Sequence, residues 1–317
     1  MVSIQSMHNV AILSRDSTLY QTLIEQAQLP HLRLILVDDK ITKSFDYSQI
    51  HILFGDPDLT AQIVNQCTQL QWLQSTWAGN TALFALDKND YQLCGVKGVF
   101  QQAMQEYVFA YLLYFSRNVA GFNQAQTTKK WAAPTYQSLA GKTLGIMGVG
   151  DIGQAVAKMA KHFSMNTRGY TRTSHGCEFI DQYYAYNDEQ CFATELDYLV
   201  CLLPQSKATT GLIDQNFLSY LPEHCVLINA GRGTTIIDTD LIDALQNKTL
   251  QAAVLDVFQQ EPLPEHHPYW QLDNLHITQH TAAESLPENI FPLFRDNYCR
   301  FIKRRTLCNV LDFAKGY

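Results

Sequence analysis

The sequence predicts an α/β protein with two doubly wound parallel-sheet domains. The chain has 317 residues, which exceeds the usual size of one hydrophobic core and therefore favours two domains. Short apolar runs alternate with amphipathic stretches in both halves, which is typical of parallel sheets joined by helices. Near the middle, Gly148, Gly150 and Gly153 stand at Gly-x-Gly-x-x-Gly spacing between a strand-like run and a helical pattern.

The first half of the chain alternates strand-like and helical segments and has no phosphate-type glycine loop. Strands are expected at 10–13, 32–37, 50–54 and 71–76, and helices at 18–27 and 57–64. A long helix is predicted at 101–122, because its apolar residues recur at helical spacing, and a polar segment follows at 124–137. We place the first domain boundary just before this helix.

The glycine motif opens the second α/β unit. Strands are expected at 143–147, 167–171, 198–203, 225–229, 252–257 and 275–278, with helices after the glycines, at 214–221 and at 238–246. A helix at 286–304 closes the chain. Its apolar stripe would fit either domain, so the pattern alone does not decide where it packs.

The glycine spacing indicates a dinucleotide site. The first glycine permits the tight turn, the second lets the backbone approach a pyrophosphate, and the third lets helix and strand pack closely. The helix N-terminus, at Asp151 and Ile152, offers N–H groups and the positive end of a dipole to the phosphates. A glycine triplet alone would also fit an ordinary βα turn, but the strand before it and the helix and strand after it favour the dinucleotide.

The end of the next strand predicts which dinucleotide binds. An NAD site usually has an acidic residue there for the ribose 2′-hydroxyl, whereas an arginine accommodates a 2′-phosphate. Here the strand runs into Arg172, Thr173 and Ser174, and the first acid beyond them is Glu178. A guanidinium and two hydroxyls can bind a phosphate, so we predict NADP(H) in preference to NAD(H). The alternative is a solvated polar loop.

Composition excludes several other classes of function. The net charge of −7 and the lack of a long basic cluster argue against a nucleic-acid partner. The chain shows neither a signal-like start nor an apolar run long enough to span a membrane. None of the eight cysteines forms a Cys-x-x-Cys pair, so no metal site is expected, and reduced thiols indicate a cytoplasmic protein.

Reactive side chains follow the predicted strands at their carboxyl ends, where ligands bind in open α/β sheets. Pro204, Arg232, Glu261 and His280 follow four different strands, and we expect them to face one crevice with the cofactor. Each also has a structural alternative: a solvated turn for the arginine, a surface position for the glutamate and a satisfied structural role for the histidine. His266 and His267, in a polar loop flanked by prolines, are poorer candidates.

The ordered set of motifs resembles the D-isomer-specific 2-hydroxyacid dehydrogenases, and within them the glyoxylate/hydroxypyruvate reductase branch. The resemblance covers nearly the whole chain, to the closing Lys315-Gly-Tyr317. It rests on the following segments: Trp77-Ala78-Gly79, Met104-Gln-Glu-Tyr-Val108, Gly148-Val-Gly-Asp-Ile-Gly153, Leu202-Leu-Pro-Gln-Ser-Lys-Ala-Thr-Thr-Gly-Leu-Ile213, Ile228-Asn-Ala-Gly-Arg232-Gly233, Leu255-Asp-Val-Phe-Gln-Gln-Glu-Pro-Leu-Pro264 and Thr278-Gln-His280-Thr-Ala-Ala283.

The resemblance implies a flavodoxin-like substrate domain at 1–98 and 285–317, a Rossmann NADP-binding domain at 99–284, and a cleft between them. It also implies a homodimer formed largely by the cofactor domains. The catalytic residues would be Arg232, Glu261 and His280, and the substrate would contact Trp77, Ala78, Gly79, Arg232 and His280. The cofactor would contact Gly148, Gly150, Asp151, Ile152, Gly153, Arg172, Thr173, Ser174, Leu203, Pro204, Ala230, Arg232, Asp256 and His280, with Asp256 bonded to the nicotinamide carboxamide.

The expected reaction is reduction of a small 2-keto acid by NADPH, with His280 as general acid and Glu261 favouring its protonated form. Two residues depart from the family pattern. Gln279 replaces a frequent proline, which would alter the turn before the histidine, and Asn80 replaces a small apolar residue, which would change substrate preference. The alternatives are a dehydrogenase of a bulkier keto acid such as phenylpyruvate, or a dinucleotide-sensing protein similar to a corepressor.

Overall fold

The structure is a computed structural model that describes residues 7–172 and 176–314. The chain divides into two compact units. The first holds the described residues up to Val99 together with those from Ser285 onward, and the second holds those from Phe100 to Glu284. The assignment of these units as substrate domain and cofactor domain stays a prediction.

The elements alternate along the described chain. The strands are β1 (His8–Leu13), β2 (Leu32–Asp38), β3 (Ile52–Gly55), β4 (Trp72–Ser75), β5 (Gln92–Cys94), β6 (Thr143–Met147), β7 (Asn166–Tyr170), β8 (Gln182–Tyr184), β9 (Tyr198–Cys201), β10 (Val226–Asn229), β11 (Ala252–Leu255) and β12 (Leu275–Ile277). The α-helices are α1 (Ser17–Ala27), α2 (Pro57–Thr60), α3 (Thr81–Phe84), α4 (Gln101–Ser116), α5 (Val119–Thr127), α6 (Asp151–His162), α7 (Glu189–Ala193), α8 (Gln215–Ser219), α9 (Asp238–Gln246) and α10 (Pro287–Ile302).

Both units contain a parallel sheet, as predicted. In the first unit the strand order is β2-β1-β3-β4-β5, the flavodoxin-like order. In the second the order is β12-β11-β10-β9-β6-β7-β8, which is the dinucleotide-binding order with one additional edge strand. The predicted α/β class with two doubly wound sheets is therefore confirmed. The short strands β5 and β8, of three residues each, were not predicted.

The second sheet is covered on both faces, which explains its continuous apolar strands. Successive residues of β9 enter opposite cores: Tyr198 and Val200 belong to one apolar cluster, and Leu199 and Cys201 belong to the other. Because side chains alternate across a strand, each run of four buried residues supplies both layers. This packing fixes the register of the strands and with it the positions of the loops at their carboxyl ends.

The closing helix α10 packs on the first unit, which the sequence pattern had left open. Its Phe294 ring stacks on Phe54, with centroids 4.5 Å apart, and on Trp72, with centroids 5.2 Å apart. On the same helix, buried Asn297 donates from its amide to the side-chain oxygen of Gln74 at 3.1 Å. The stacked rings and the satisfied polar pair join the last helix to the sheet formed by the first residues.

The prediction of one helix over 101–122 was wrong. Helix α4 ends at Ser116, and α5 begins at Val119 after a break at Asn118. Asn118 adopts a left-handed conformation with φ of 51°, and its side chain accepts a hydrogen bond from the Gly121 N–H at 3.1 Å. Asparagine tolerates this conformation and caps helix N-termini, so it restarts the helix in a new direction. Helix α5 also extends into the predicted polar segment at 124–137.

Membrane insertion of a helix is not indicated. Among the helices in residues 7–172 and 176–314, none combines the length and the apolar character needed to cross a bilayer.

Candidate active site

The glycine loop between β6 and α6 has the geometry that its spacing predicted. Gly148 has φ of +95°, and Gly153 lies so close to it that a Cβ at 153 would stand 2.2 Å from the Gly148 carbonyl oxygen. A Cβ at Gly150 would instead meet nothing within 4 Å. The first and third glycines therefore serve the turn and the packing. The second leaves open space over the backbone, as a pyrophosphate would require.

Helix α6 presents its N-terminus at this loop. The first hydrogen bond within the helix is the one that the Gln154 N–H donates to the Gly150 carbonyl at 2.9 Å. The N–H groups that come before it in a helix have no partner within the helix. The Asp151 carboxylate in the first turn accepts a hydrogen bond from the Gln101 side chain at 2.5 Å. The loop and the helix end together fit the phosphates of a dinucleotide.

The residues proposed to select the cofactor are Arg172, Thr173 and Ser174. Arg172 follows β7 and is exposed, whereas Thr173 and Ser174 lie outside the described residues. The preference for NADP(H) therefore stays a prediction.

Two further loops, those after β9 and β10, pack closely against each other. Leu203 and Pro204 follow β9, and the Pro204 carbonyl accepts a hydrogen bond from the Thr209 hydroxyl at 2.7 Å. The Ala230 N–H donates to the Cys201 carbonyl at 3.1 Å. A Cβ at Gly231 would stand 2.8 Å from the Leu203 carbonyl oxygen, so only glycine lets the loops after β9 and β10 approach this closely.

Arg232 is held by its neighbours rather than lying in a solvated turn. A Cβ at Gly233 would stand 1.9 Å from the Phe258 carbonyl carbon, so this side of the loop also presses against neighbouring backbone. Buried Asn229 accepts a hydrogen bond from the Gly231 N–H at 3.1 Å and donates to the Arg232 carbonyl at 3.0 Å. Sequence reasoning missed this role of Asn229; an amide at the last position of a buried strand was the available signal.

The guanidinium of Arg232 is half-buried and donates to the Gly231 carbonyl at 2.6 Å. Burial lowers the pKa of Arg232, and the nearby charge of Glu261 acts in the opposite direction. Because the ordinary pKa of arginine is above about 12, the group stays positively charged at neutral pH. A half-buried cation is well suited to bind a substrate carboxylate.

His280 and Glu261 form a direct pair. The imidazole Nδ1 lies 2.7 Å from Glu261 Oε2, and the other carboxylate oxygen accepts the Phe258 N–H at 2.9 Å. The carboxylate is thus fixed by the backbone of its own loop. It orients the ring so that Nε2 is left for another partner. The predicted contact between these two residues is present in the structure.

Asp256 organises the loop that carries His280. Its buried carboxylate accepts hydrogen bonds from the Thr278 hydroxyl at 2.5 Å, the Thr281 N–H at 2.9 Å and the Ala282 N–H at 3.2 Å. Its carbonyl accepts the His280 N–H at 2.8 Å. His280 has φ of +58°, a conformation that costs free energy outside glycine, so these bonds support it. A contact from Asp256 to the nicotinamide stays a prediction.

The pairing register of β10, β11 and β12 places the loops that follow them at one edge of the second sheet. Asn229 of β10 is opposite Leu255 of β11, which is opposite Ile277 of β12. Neighbouring strands lie about 4.8 Å apart. Arg232 and His280 each follow the matched strand ends by three residues, so they emerge at the same edge of the sheet. Exposed Gln279, in place of the frequent proline, is compatible with this turn.

The first unit carries the other predicted substrate loop, after β4. The Ser75 hydroxyl accepts the Trp77 N–H and donates to the Trp77 carbonyl, both at 3.1 Å. Within residues 7–172 and 176–314, the N–H groups of Ala78 and Gly79 have no hydrogen-bond acceptor. Two consecutive N–H groups without an acceptor can donate to a bound anion.

Asn80, the second departure from the family pattern, is buried beneath this loop. Its amide nitrogen lies 3.5 Å from the Trp77 carbonyl and 3.4 Å from the Ala78 carbonyl. Its side-chain oxygen has no hydrogen-bond partner among the described residues. The side chain therefore supports the loop from below, which a small apolar residue would not do.

Comparison with known proteins identifies the family of the chain. The family described as "D-isomer specific 2-hydroxyacid dehydrogenase, NAD binding domain" matches residues 109–282. The glyoxylate/hydroxypyruvate reductase A of Serratia proteamaculans (strain 568) is 31% identical over 216 residues, which cover 68% of this chain and 69% of that protein.

The chain belongs to the D-isomer-specific 2-hydroxyacid dehydrogenase family.

Solved structures of the family extend the likeness over the whole chain. A family protein from Aeromonas salmonicida subsp. salmonicida A449 is 36% identical, with a TM-score of 0.91, and the match covers 97% of this chain and 100% of that one. The NADPH-dependent glyoxylate/hydroxypyruvate reductase of Sinorhizobium meliloti, solved with NADP and sulfate, is 25% identical with a TM-score of 0.87, over 98% and 100% of the two chains.

Membership of the family confirms the resemblance drawn from the sequence motifs and makes the chain an oxidoreductase of the NAD(P)-dependent 2-hydroxyacid dehydrogenases.

Proposed function

We propose that the protein reduces small 2-keto acids, of the glyoxylate and hydroxypyruvate type, to D-2-hydroxy acids with NADPH. The observation that carries the proposal is the His280–Glu261 pair at 2.7 Å. It stands at the same sheet edge as Arg232, in the unit that also contains the glycine loop. A general acid, its orienting carboxylate and a carboxylate-binding cation are the groups that reduction of a keto acid needs.

The roles of the residues follow from their surroundings. Arg232 binds the substrate carboxylate and polarises the ketone, because arginine is not deprotonated in proteins and its guanidinium is half-buried. His280 donates a proton from Nε2 to the carbonyl oxygen, and Glu261 holds the ring from Nδ1. The nicotinamide, when bound, supplies the hydride.

The N–H groups of Ala78 and Gly79 are proposed to donate hydrogen bonds to the substrate carboxylate. Trp77, held by Ser75 on both sides of its peptide, would set the size of substrate accepted.

We also propose that NADP(H) is preferred to NAD(H). Arg172 supplies a positive charge at the end of β7, where a 2′-phosphate is recognised in this fold. The reductase from Sinorhizobium meliloti, which is similar over nearly the whole chain, is NADPH-dependent. Comparison of KM for NADPH and NADH tests the preference. We further propose a homodimer, which light scattering of the purified protein tests.

The decisive experiment follows the loss of absorbance at 340 nm with NADPH and a panel of keto acids of increasing size. Highest kcat/KM for glyoxylate or hydroxypyruvate supports the proposal. Highest kcat/KM for phenylpyruvate would move the assignment to a dehydrogenase of bulkier acids. Tight NADPH binding without turnover of any keto acid would favour a dinucleotide sensor.

A further inference from the structure

A buried carboxylate ties together three strand ends in the first unit. Asp56 directly follows β3 and is 2% exposed. Its Oδ1 accepts hydrogen bonds from the Ser14 hydroxyl at 2.8 Å and the Thr76 hydroxyl at 2.6 Å. Its Oδ2 accepts the Arg15 backbone N–H at 2.9 Å and the Arg15 guanidinium at 3.1 Å. The chain segments after β1, β3 and β4 are thereby joined at one group.

Such a group is costly unless every oxygen is paired, because a buried charge loses its hydration. Here four donors, one of them charged, satisfy both oxygens. A group that replaced the carboxylate could not accept all four of these hydrogen bonds. The Asp56 carboxylate therefore specifies one geometry for the three chain segments that it joins.

Arg15 extends this arrangement to the ring of Trp77. Its guanidinium forms two hydrogen bonds with Asp58, at 3.1 and 2.6 Å. The guanidinium carbon lies 5.3 Å from the centroid of the Trp77 ring. The bond to the buried Asp56 carboxylate restricts the planar guanidinium of Arg15, and an aromatic face in contact with it is restricted too.

Both contacts act on the proposed substrate loop. Thr76, which is bonded to Asp56, is the residue before Trp77, and Trp77 is followed by the unpaired N–H groups of Ala78 and Gly79. The loop is therefore bonded to the Asp56 carboxylate at Thr76, and it contacts the Arg15 guanidinium at Trp77.

We infer that Asp56 and Arg15 are positioning residues for substrate binding, which hold the loop 76–79 in the geometry that binds the carboxylate of the keto acid. The inference rests on the proposed function. Neither residue needs to touch the substrate, since each acts through Thr76 or Trp77.

The test compares Asp56→Asn with Asp58→Asn. Asparagine at 56 keeps the shape but replaces one carboxylate oxygen by an N–H₂ group and removes the charge that pairs with the Arg15 guanidinium, so the loop should lose its fixed geometry. We expect KM for glyoxylate to rise roughly tenfold, with KM for NADPH unchanged within about twofold. Asp58→Asn also removes a carboxylate from Arg15 but leaves every bond of Asp56, so KM for glyoxylate should stay within about twofold of wild type.

A purely structural role gives a different result. Loss of folded protein lowers the active fraction, and so the apparent kcat, without changing KM. Thermal unfolding of each variant with NADP present reports the folded fraction. An unchanged KM in Asp56→Asn, or an equal rise in Asp58→Asn, would overturn the inference.

A double-mutant cycle tests the contribution of Arg15. We expect Arg15→Ala and Trp77→Ala to be non-additive in log kcat/KM for glyoxylate, because the two side chains act on the loop as one unit. Strict additivity would remove Arg15 from the inference.

Binding of oxalate, followed by tryptophan fluorescence, supplies a readout without turnover. Asp56→Asn should weaken oxalate binding about tenfold. A wild-type protein that neither reduces any keto acid nor binds oxalate would refute the proposed function itself. Wild-type activity combined with an unaltered Asp56→Asn variant would refute only the positioning role.

Discussion

Each of the two sheets buries an aspartate at its carboxyl edge, but the two carboxylates are satisfied by different donors. Asp56 and Asp256 are each 2% exposed, and each accepts a hydrogen bond from a threonine at the end of the next strand, Thr76 at 2.6 Å and Thr278 at 2.5 Å. Asp56 also binds the cation Arg15. Asp256 instead takes backbone N–H groups of the loop after β12.

The difference has a chemical reason. At Asp56 the charged guanidinium of Arg15 joins neutral donors around the carboxylate. Beside His280, an additional cation would oppose protonation of the imidazole. Neutral donors to Asp256 support the same loop without adding a cation beside His280. The aspartate of the first unit is therefore satisfied partly by a cation, and that of the second unit by neutral groups.

The largest effect should come from His280→Ala. General acid catalysis contributes roughly 10²–10⁴-fold, so kcat should fall by about that factor while KM for NADPH stays unchanged. Steady-state assays at 340 nm measure both. His224→Ala is the matched control, because His224 is an exposed histidine at the amino ends of the strands, paired with Asp197 at 3.4 Å. Near-normal turnover of His280→Ala would contradict the role of His280 as general acid.

The glycine loop should show two separable effects. Gly153→Ala would place a Cβ 2.2 Å from the Gly148 carbonyl oxygen, so we expect the free energy of unfolding to fall by about 1–3 kcal/mol. Gly150→Ala meets nothing within 4 Å and should leave stability nearly unchanged while weakening NADPH binding. Urea unfolding and fluorescence titration measure the two quantities. Equal destabilisation by both substitutions would contradict the packing role of the third glycine.

The two buried aspartates should tolerate asparagine differently. At Asp56 both oxygens are required, because Ser14 and Thr76 donate to one and Arg15 to the other. At Asp256 most donors converge on Oδ1, which an asparagine oxygen could replace. We expect Asp56→Asn to cost about 2 kcal/mol of unfolding free energy and Asp256→Asn about 1 kcal/mol.

Urea midpoints of the two variants, with exposed Asp90→Asn as a surface control, measure this difference. If Asp256→Asn proved the more destabilising, the comparison of the two edges would need to be reversed.

Much of this organisation was predictable from the sequence. Periodicity and the glycine spacing located the second sheet, because buried parallel strands are continuous apolar runs. The motif order located Arg232, Glu261 and His280. Sequence reasoning missed three supports: Asn229 beneath Arg232, Asp56 beneath Thr76, and the left-handed Asn118 that divides the predicted long helix. Asn118 and Asn229 bond to residues two or three positions further along, which leaves only a weak local signal. Asp56 bonds to residues that are 20 and 42 positions away in sequence, which a local pattern does not record.

The smallest effect concerns cofactor choice and involves neither buried aspartate. Arg172→Gln should raise KM for NADPH roughly tenfold and leave KM for NADH nearly unchanged, because only NADPH carries the 2′-phosphate that the guanidinium would bind. Arg117→Gln is the control, since Arg117 is an exposed arginine of the same unit whose guanidinium lies over Tyr136, 4.0 Å from the ring centroid. Equal increases for both cofactors would show that Arg172 acts on the loop rather than on the phosphate.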